Sequence, residues 1–174
     1  MVDKSHRMKK KHDVVIGLGS NIGNRLEYLE LAISEVENLL DSKAICSEIY
    51  QSKAWGFQSE DEFLNCCISL KTDLSPEEVL KGTKTIEKNL GRVKKSKKNI
   101  YQSRVIDIDI LYFDDVVLSH ENLTIPHPLI QDRMFVVRPL ADIIPTFIDP
   151  VKKESIMELL AHCNDENEVI LYTY

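Results

Sequence analysis

Two aspartates stand two residues apart in the clearest strand pattern of the chain, where Asp107 and Asp109 alternate with Ile106, Ile108 and Ile110. Residues two apart in a strand share a face, so both carboxylates are expected to project together while the isoleucines fill the buried face. Neighbouring carboxylates repel one another and favour a cation between them. Mg²⁺ in phosphate-transfer sites typically takes one or two carboxylates plus substrate oxygens. A half-exposed strand with a solvated polar face is the alternative interpretation.

A basic segment comes directly before these aspartates. From Arg92 to Arg104, thirteen residues include six Lys or Arg and no acidic residue. Arg104 precedes Asp107 by three positions, which sets arginines for phosphate beside carboxylates for a metal. This combination predicts a metal–polyphosphate site. A solvated loop would explain the basic segment by itself.

Three other places in the chain could contact a ligand. His127 lies between two prolines that fix its backbone, so its imidazole could be aimed at a phosphate. Phe63 and Asn65 share a strand face and could stack on and hydrogen-bond a flat heterocycle. Trp55, the only tryptophan, lies in a predicted loop and could cover a ligand. A structural histidine, a core aromatic and a satisfied amide are the ordinary alternatives.

Composition narrows the class of protein. The 174 residues are 43% hydrophobic and 29% charged, as expected for one globular domain without a membrane span. Four cysteines without metal-ligand spacing predict a reduced, cytoplasmic protein. The net charge is −6, and without residues 1–12 the chain holds 17 basic and 27 acidic residues. Such an acidic body disfavours nucleic acid as a partner, whereas one basic segment suits a small polyanion.

The elements that must position these side chains follow from hydrophobic periodicity and capping signals. Residues 1–12 are expected to be a disordered basic tail before a single domain over 13–174. Asn24 and Ser75 are predicted helix N-caps. The predicted strands are 13–19, 44–52, 63–72, 105–113, 116–118 and 169–172, with an extended loop at 123–130 and helices at 25–40, 76–91, 135–144 and 155–162. This order predicts an α+β fold, a ferredoxin-like αβα sandwich with a mainly antiparallel sheet.

Several short motifs occur together and in order: Gly19-Ser20-Asn21, Phe63-Leu64-Asn65, Gly91-Arg92-Val93, Arg104-Val-Ile-Asp107-Ile-Asp109-Ile110 and Pro126-His127. The set closely resembles the 6-hydroxymethyl-7,8-dihydropterin pyrophosphokinase family over residues 13 to about 163. The resemblance implies a ferredoxin-like fold, ATP with two Mg²⁺ ions, and transfer of diphosphate from ATP to the pterin hydroxymethyl group with release of AMP, a step of tetrahydrofolate biosynthesis.

The resemblance also implies roles for individual residues. Asp107 and Asp109 would hold the metal ions, and Arg92 and Arg104 would bind phosphate from a mobile basic loop. The other implied ATP contacts are Leu80, Lys84, Glu87, Ile110, Thr124, His127 and Arg133. The implied pterin contacts are the aromatic pair Phe63 and Phe135, with Asn65, Ser52, Lys53, Trp55 and Asp107.

Some positions depart from the family pattern. Lys53-Ala54 replaces a frequent Pro-Pro, and Phe63 replaces a common tyrosine, so a hydroxyl is lost. Lysine stands at Lys84 where glutamine is frequent, and proline stands at Pro128 where tyrosine is frequent. Two alternatives to the enzyme stay open, a relative that binds ligands without catalysis and a ferredoxin-like RNA-binding module. A monomer is expected, with a homodimer as the alternative.

Overall fold

The structure is a computed structural model that describes residues 11–56, 61–91 and 104–173. Its strands are β1 (His12–Ser20), β2 (Ile45–Cys46), β3 (Tyr50–Ser52), β4 (Phe63–Thr72), β5 (Asp107–Phe113), β6 (Leu118–His120), β7 (Leu123–Ile125) and β8 (Val169–Leu171). Its helices are α1 (Arg25–Leu40), α2 (Pro76–Asn89), α3 (Met134–Ile143) and α4 (Ile156–His162).

Six strands form the main sheet in the order β5-β1-β4-β3-β8, with β2 also paired to β4, and every pairing is antiparallel. Strands β6 and β7 form a separate two-stranded ribbon. Strand β1 lies between β4 and β5, and near its end Gly19 pairs with Asn65 of β4 on one side and with Asp107 of β5 on the other. The main-chain pairing therefore brings residues from three distant segments to one end of the sheet.

Helices cover both faces of the sheet. On one face, α1 and α2 bury apolar side chains such as Leu29 and Val79 against Ile16, Ile68 and Ile108. On the other face, α3 and α4 pack on a second apolar cluster that consists of Val15, Cys67, Leu111, Tyr112, Ile130, Val136, Val137, Leu140, Ala141, Ile156 and Leu159. This three-layer arrangement confirms the predicted αβα sandwich.

The predicted helix starts are also confirmed. The side chain of Asn24 accepts a hydrogen bond from the Glu27 amide at 3.4 Å at the start of α1. Ser75 and Glu78 form a reciprocal capping box at the start of α2. These bonds satisfy main-chain donors that the first helical turn cannot pair internally.

The N-terminal boundary needs correction. His12, assigned from sequence to the disordered tail, is the first residue of β1. Its Nδ1 atom lies 2.6 Å from Oδ2 of Asp114, and its ring centroid lies 5.0 Å from that of Phe113. The ordered chain thus begins before residue 13, while residues 1–10 lie outside the described part.

Three predicted strands differ from the observed ones by more than one residue at an end. The strand predicted at 105–113 begins only at Asp107, as β5. The segment 44–52 is split into β2 and β3, because Oγ of Ser47 accepts the Cys67 amide at 2.9 Å and so takes a donor from the ladder. The return strand predicted at 116–118 begins only at Leu118, after a turn in which Asp114 has φ of 46°. The loop predicted at 123–130 starts as β7, which pairs with β6.

No helix in the described residues is both long enough and apolar enough to cross a membrane.

Candidate active site

A cleft of about 720 Å³, measured with its open mouth, lies beside the start of α3 where β1, β4 and β5 meet. Eleven of the residues predicted for the site line it: Ser52, Lys53, Trp55, Phe63, Asn65, Arg104, Asp107, Asp109, His127, Arg133 and Phe135. The contributing segments are the end of β3, the starts of β4 and β5, the loop after β7 and the first turn of α3.

The two aspartates project from β5 into this cleft, opposite glycines of β1. Asp107 pairs with Gly19, and Asp109 pairs with Gly17. A Cβ atom on Gly19 would lie 2.9 Å from Oδ1 of Asn65, so a side chain there would displace a cleft residue. Gly17 and Gly19 are thus residues of strand β1. They keep the strand surface open in front of the carboxylates.

The carboxylates sit in an environment that disfavours two negative charges. Burial, with the negative charges of Asp107 and Glu87, raises the pKa of Asp109 to about 7, although the positive charges of Lys84 and Arg133 oppose the shift. This excess of negative charge is the condition that a bound cation relieves.

Arg104 is paired with the first aspartate. Its Nη1 atom lies 2.7 Å from Oδ2 of Asp107, and both side chains are shielded from most of the solvent. A charge-assisted bond of this length holds the guanidinium group at the edge of the cleft. One cationic group is thereby fixed close to the carboxylates, as the sequence predicted.

Aromatic rings and a second arginine form the opposite wall. The Cζ atom of Arg133 lies 4.7 Å from the ring centroid of Trp55 and 5.8 Å from that of Phe135. Both distances are within the range of cation–π attraction. Trp55 thus lines the cleft, and its contact with a ligand stays a prediction.

A buried amide faces the same space. Nδ2 of Asn65 donates a hydrogen bond to Oγ of Ser52 at 2.9 Å, and both side chains are buried. The bond fixes which way the amide plane is turned. Phe63, two residues earlier on β4, shares this face, so an aromatic ring and an oriented amide lie side by side as predicted.

His127 is held in one orientation and one protonation state. Its amide donates to the carbonyl of Leu111 at 3.0 Å, and the Leu129 amide donates to its Nδ1 atom at 3.3 Å. Burial, with the positive charge of Arg133, lowers the pKa of His127 to about 4, although the negative charge of Asp107 opposes the shift. A neutral imidazole whose Nδ1 accepts a hydrogen bond carries its proton on Nε2, which can donate to a ligand.

Five predicted ATP contacts lie away from the cleft lining: Leu80, Lys84, Glu87, Ile110 and Thr124. Glu87 is 2% exposed, and its Oε1 atom accepts the Ile108 amide at 2.8 Å. Ile110 is a core residue, whereas Thr124 is exposed on β7. Their roles toward ATP stay predictions. Arg92 and the basic loop after it lie outside the described residues.

Several lining residues were not predicted: Gly17, Leu18, Gly19, Cys66, Cys67, Leu111 and Val136. The signal for Leu111 was present, since it continues the two-residue spacing of Asp107 and Asp109 along β5. The adjacent thiols are unreactive, because burial raises the pKa of Cys66 to about 12 and that of Cys67 well above its usual value.

The donor set suits a hard cation that shares its coordination with a substrate. In the described residues, no cluster of three or more His, Cys, Asp or Glu side chains could hold a metal. Asp107 and Asp109 supply two carboxylates, and Mg²⁺ commonly completes its shell with phosphate oxygens and water. The residues present therefore fit the implied metal.

Carboxylates, guanidinium groups and aromatic rings that meet in one cleft of an αβα sandwich define a class of protein. They are the parts of a phosphate-group transferase whose acceptor is a flat ring system.

Comparison with known proteins identifies the family. Residues 15–145 match the model of 7,8-dihydro-6-hydroxymethylpterin-pyrophosphokinase (HPPK), and the chain belongs to this family. It is similar to the 2-amino-4-hydroxy-6-hydroxymethyldihydropteridine pyrophosphokinase of Aquifex aeolicus, with 41% identity over 145 residues, 83% of this chain and 88% of the relative. The pyrophosphokinase of Synechocystis is 37% identical over 150 residues, 86% of this chain and 75% of the relative.

Solved structures agree on the fold. A Plasmodium falciparum HPPK-DHPS with pteroate superposes with a TM-score of 0.69 at 19% identity. The match covers 87% of this chain but only 44% of that one, so this chain spans less than half of the solved protein.

The reaction of the family is thus the reaction of this chain. It is an ATP-dependent pyrophosphokinase that transfers diphosphate from ATP to hydroxymethyldihydropterin in folate biosynthesis. The alternatives of an RNA-binding module and of a relative without catalysis are set aside on the same grounds.

Proposed function

We propose that the cleft beside α3 is the catalytic centre of this reaction and that its residues have separable roles. One observation carries the proposal: Asp107 and Asp109 project from one strand face into a cleft that also holds Arg104 and the ring of Phe135. The carboxylates suit metal ions, the guanidinium group suits a polyphosphate, and the aromatic ring suits a flat acceptor.

The pterin would lie between the rings of Phe63 and Phe135. Stacking on aromatic rings suits a flat heterocycle, as it does for nucleobases. Asn65 would then hydrogen-bond the polar edge of the pterin, with its amide kept in orientation by Ser52. Because Phe63 has no hydroxyl, the amide of Asn65 carries more of the polar recognition than in relatives with tyrosine. Lys53 and Trp55 would border this pocket, and Asp107 would also contact the pterin hydroxymethyl group.

The triphosphate would lie along the cationic side of the cleft. Arg104 and Arg133 supply guanidinium groups, and His127 supplies a neutral Nε2–H donor. A neutral donor can hydrogen-bond a phosphate oxygen without placing another positive charge beside Arg104 and Arg133. The remaining ATP contacts that we propose are Leu80, Lys84, Glu87, Arg92, Ile110 and Thr124.

Asp107 and Asp109 would hold two Mg²⁺ ions together with the phosphate oxygens. Bound Mg²⁺ supplies Lewis-acid stabilisation of the charge that develops on the phosphates. Asp109 has to give up the proton that burial favours, and Asp107 has to share its carboxylate with the pair that it forms with Arg104. On ligand binding, the charges of the metal ions and phosphates therefore replace the proton on Asp109 and part of the pair between Asp107 and Arg104.

The chain contributes to the transfer step through positioning and charge. The pterin hydroxyl oxygen forms a bond to the β-phosphorus of ATP and its proton passes to solvent. The bond from that phosphorus to the bridging oxygen of the α-phosphate breaks, and AMP leaves with that oxygen. Holding both reactants in one cleft supplies orientation, and fixed cations stabilise the developing charge. These effects require the cleft residues to be rigid before ligands arrive.

An assay of AMP release tests these roles. With 6-hydroxymethyl-7,8-dihydropterin, ATP and Mg²⁺, Asp107→Ala and Asp109→Ala should each lower turnover by at least about 100-fold, because metal binding is lost. Asp13→Ala is the matched control, since Asp13 is an exposed strand aspartate paired with Lys71 at 2.7 Å. Near-normal AMP release by either cleft variant at ordinary Mg²⁺ would refute the metal assignment.

We also propose a monomeric, cytoplasmic enzyme. All four cysteines are free thiols, which suits a reducing compartment. Sedimentation equilibrium should give a mass near 20.0 kDa. A mass twice as large would establish the homodimer instead.

A further inference from the structure

Arg104 lies just outside the sheet, where regular pairing has ended. The β1–β5 ladder stops at the pair of Gly19 and Asp107, and residues 104–106 are not part of a strand. A main chain without ladder bonds is free to take several conformations. Something other than the sheet must therefore hold Arg104 where its guanidinium group meets Asp107.

Asn21 supplies that hold. The Arg104 amide donates to Oδ1 of Asn21 at 2.7 Å, and the Asn21 amide donates to the Arg104 carbonyl at 3.2 Å. Asn21 is 2% exposed, so these bonds are protected from water. Together they act as one further rung beyond the ladder, in which a side-chain oxygen replaces a main-chain carbonyl.

Two sets of contacts fix Arg104, one at its main chain and one at the end of its side chain. Asn21 fixes its main chain, and Asp107 fixes its guanidinium group at 2.7 Å. A long side chain reaches one point reproducibly only when its base is fixed, because otherwise main-chain and rotamer freedom add. Asn21 does not itself line the cleft.

We propose that Asn21 is a positioning residue for diphosphate transfer, which acts through Arg104 by fixing its main chain beyond the end of β1. The inference rests on the proposed role of Arg104. It assigns a kinetic function to a side chain that would otherwise be explained as the start of the turn before α1.

The test compares Asn21 variants in two backgrounds. Single-turnover AMP formation is measured with saturating ATP, pterin and Mg²⁺, and thermal unfolding is measured on the same proteins. Asn21→Ala should lower the rate by about tenfold. This is the effect expected from losing the buried hydrogen bond to the Arg104 amide, and with it the position of the guanidinium group. Asn21→Asp keeps an oxygen acceptor and should restore most of that loss.

In an Arg104→Ala background, Asn21→Ala should lower the melting temperature as before but change the rate by less than about twofold, since no guanidinium group remains to be positioned. Thr72→Ala is the matched control, because Thr72 is fully buried and accepts the Leu74 amide at 3.1 Å at the far end of β4. It should cost stability without changing the rate.

Equal rate losses from Asn21→Ala in both backgrounds would overturn the inference, because Asn21 would then act independently of Arg104. A wild-type rate for Asn21→Ala would overturn it as well. A wild-type rate for Arg104→Ala would instead show that the proposed role of Arg104 is wrong, and the inference would fall with it. Should Asn21→Ala not fold, Asn21→Ser removes the long-range acceptor and carries the same comparison.

Discussion

The two faces of β5 differ completely in what they contact. Ile108 and Ile110 are at most 4% exposed and pack under α1 and α2, together with Ile106 just before the strand. Asp107 and Asp109, on the other face, line an open cleft. One face of the strand thus packs in the core and the other faces the proposed catalytic site, because neighbouring residues in a strand point to opposite faces.

The contrast shows how an unfavourable site is tolerated. The cleft face has glycines where side chains could pack, and it holds a carboxylate whose pKa burial raises to about 7. Each feature lowers the stability of the free protein. The apolar face beneath it is continuous, so the strand is held in place from behind. Substitutions on the two faces should therefore separate stability from function.

The largest effect expected on the packing face comes from Ile108→Ala. Ile108 is fully buried, and large-to-small changes at such positions cost about 2–5 kcal/mol through lost contacts and a cavity. Urea unfolding should show this loss, while turnover per folded molecule stays within a few fold of wild type. A selective loss of turnover without a loss of stability would mean that the two faces are not separable.

The next effect concerns the cleft face. Phe135→Ala should weaken pterin binding by about 1–3 kcal/mol, the range for removing one aromatic stacking surface, and should weaken ATP binding less. Calorimetric titration with a pterin analogue and a non-hydrolysable ATP analogue measures both. Phe147→Ala is the control, since Phe147 packs on Tyr112 at a ring distance of 4.8 Å and does not line the cleft. Equal losses for both ligands would indicate a packing defect.

A smaller effect should appear as a pH dependence of stability. The folded-state pKa of Asp109 is raised to about 7 from 3.8, so the folded protein binds this proton more tightly than the unfolded chain. The associated stability is fully present below pH 3.8 and is lost as the pH rises through 7. In metal-free buffer, Asp109→Asn should therefore be more stable than wild type above pH 7, by about 1–2 kcal/mol, because solvent at the cleft reduces the full effect.

Urea unfolding at pH 5 and pH 8 measures this difference. The advantage of Asp109→Asn should grow between the two values, whereas Asp13→Asn should show no such growth. An advantage that shrinks with rising pH would contradict the charge environment described for the cleft.

The smallest expected effect is spectroscopic. The pKa of His127 is lowered to about 4, so its imidazole should remain neutral, with the proton on Nε2, from pH 8 down to about pH 5. Long-range ¹H–¹⁵N spectra distinguish this tautomer directly. Stability linked to this group is present above the ordinary pKa of 6.5 and is lost as the pH falls through 4. A charged His127 at pH 6 would show that the histidine belongs to a solvated surface.

Much of the fold was predictable because local signals and tertiary structure agree. The alternation of Asp107 and Asp109 with isoleucine, and the capping residue Ser75, each act within a few residues. The break at Ser47 was not predictable, since it depends on the Cys67 amide from another strand. His12 was missed for the same reason, because its partner Asp114 is distant in sequence.

For the site, the residue types in the sequence predicted the chemistry well but predicted the positions of the side chains less well. The family pattern selected Glu87 as a nucleotide contact, which stays a prediction, and gave no sign that its carboxylate also accepts the Ile108 amide at 2.8 Å. Conversely, Gly17 was given no role from sequence, although Gly17 and Gly19 line the cleft opposite the aspartates. A glycine contributes by the side chain that it lacks, and such a contribution becomes visible only when neighbouring strands are in place.

The paired thiols at the base of the cleft affect how the enzyme can be inhibited. Cys66 and Cys67 line the space that the substrates would use, which invites the design of electrophilic drugs. Because burial raises the pKa of Cys66 to about 12, its thiolate form is strongly disfavoured at neutral pH, and an electrophile would react with it slowly. Exposed Cys46 would be alkylated first, outside the cleft. Selective compounds for this protein should therefore be reversible and rely on ring stacking between Phe63 and Phe135.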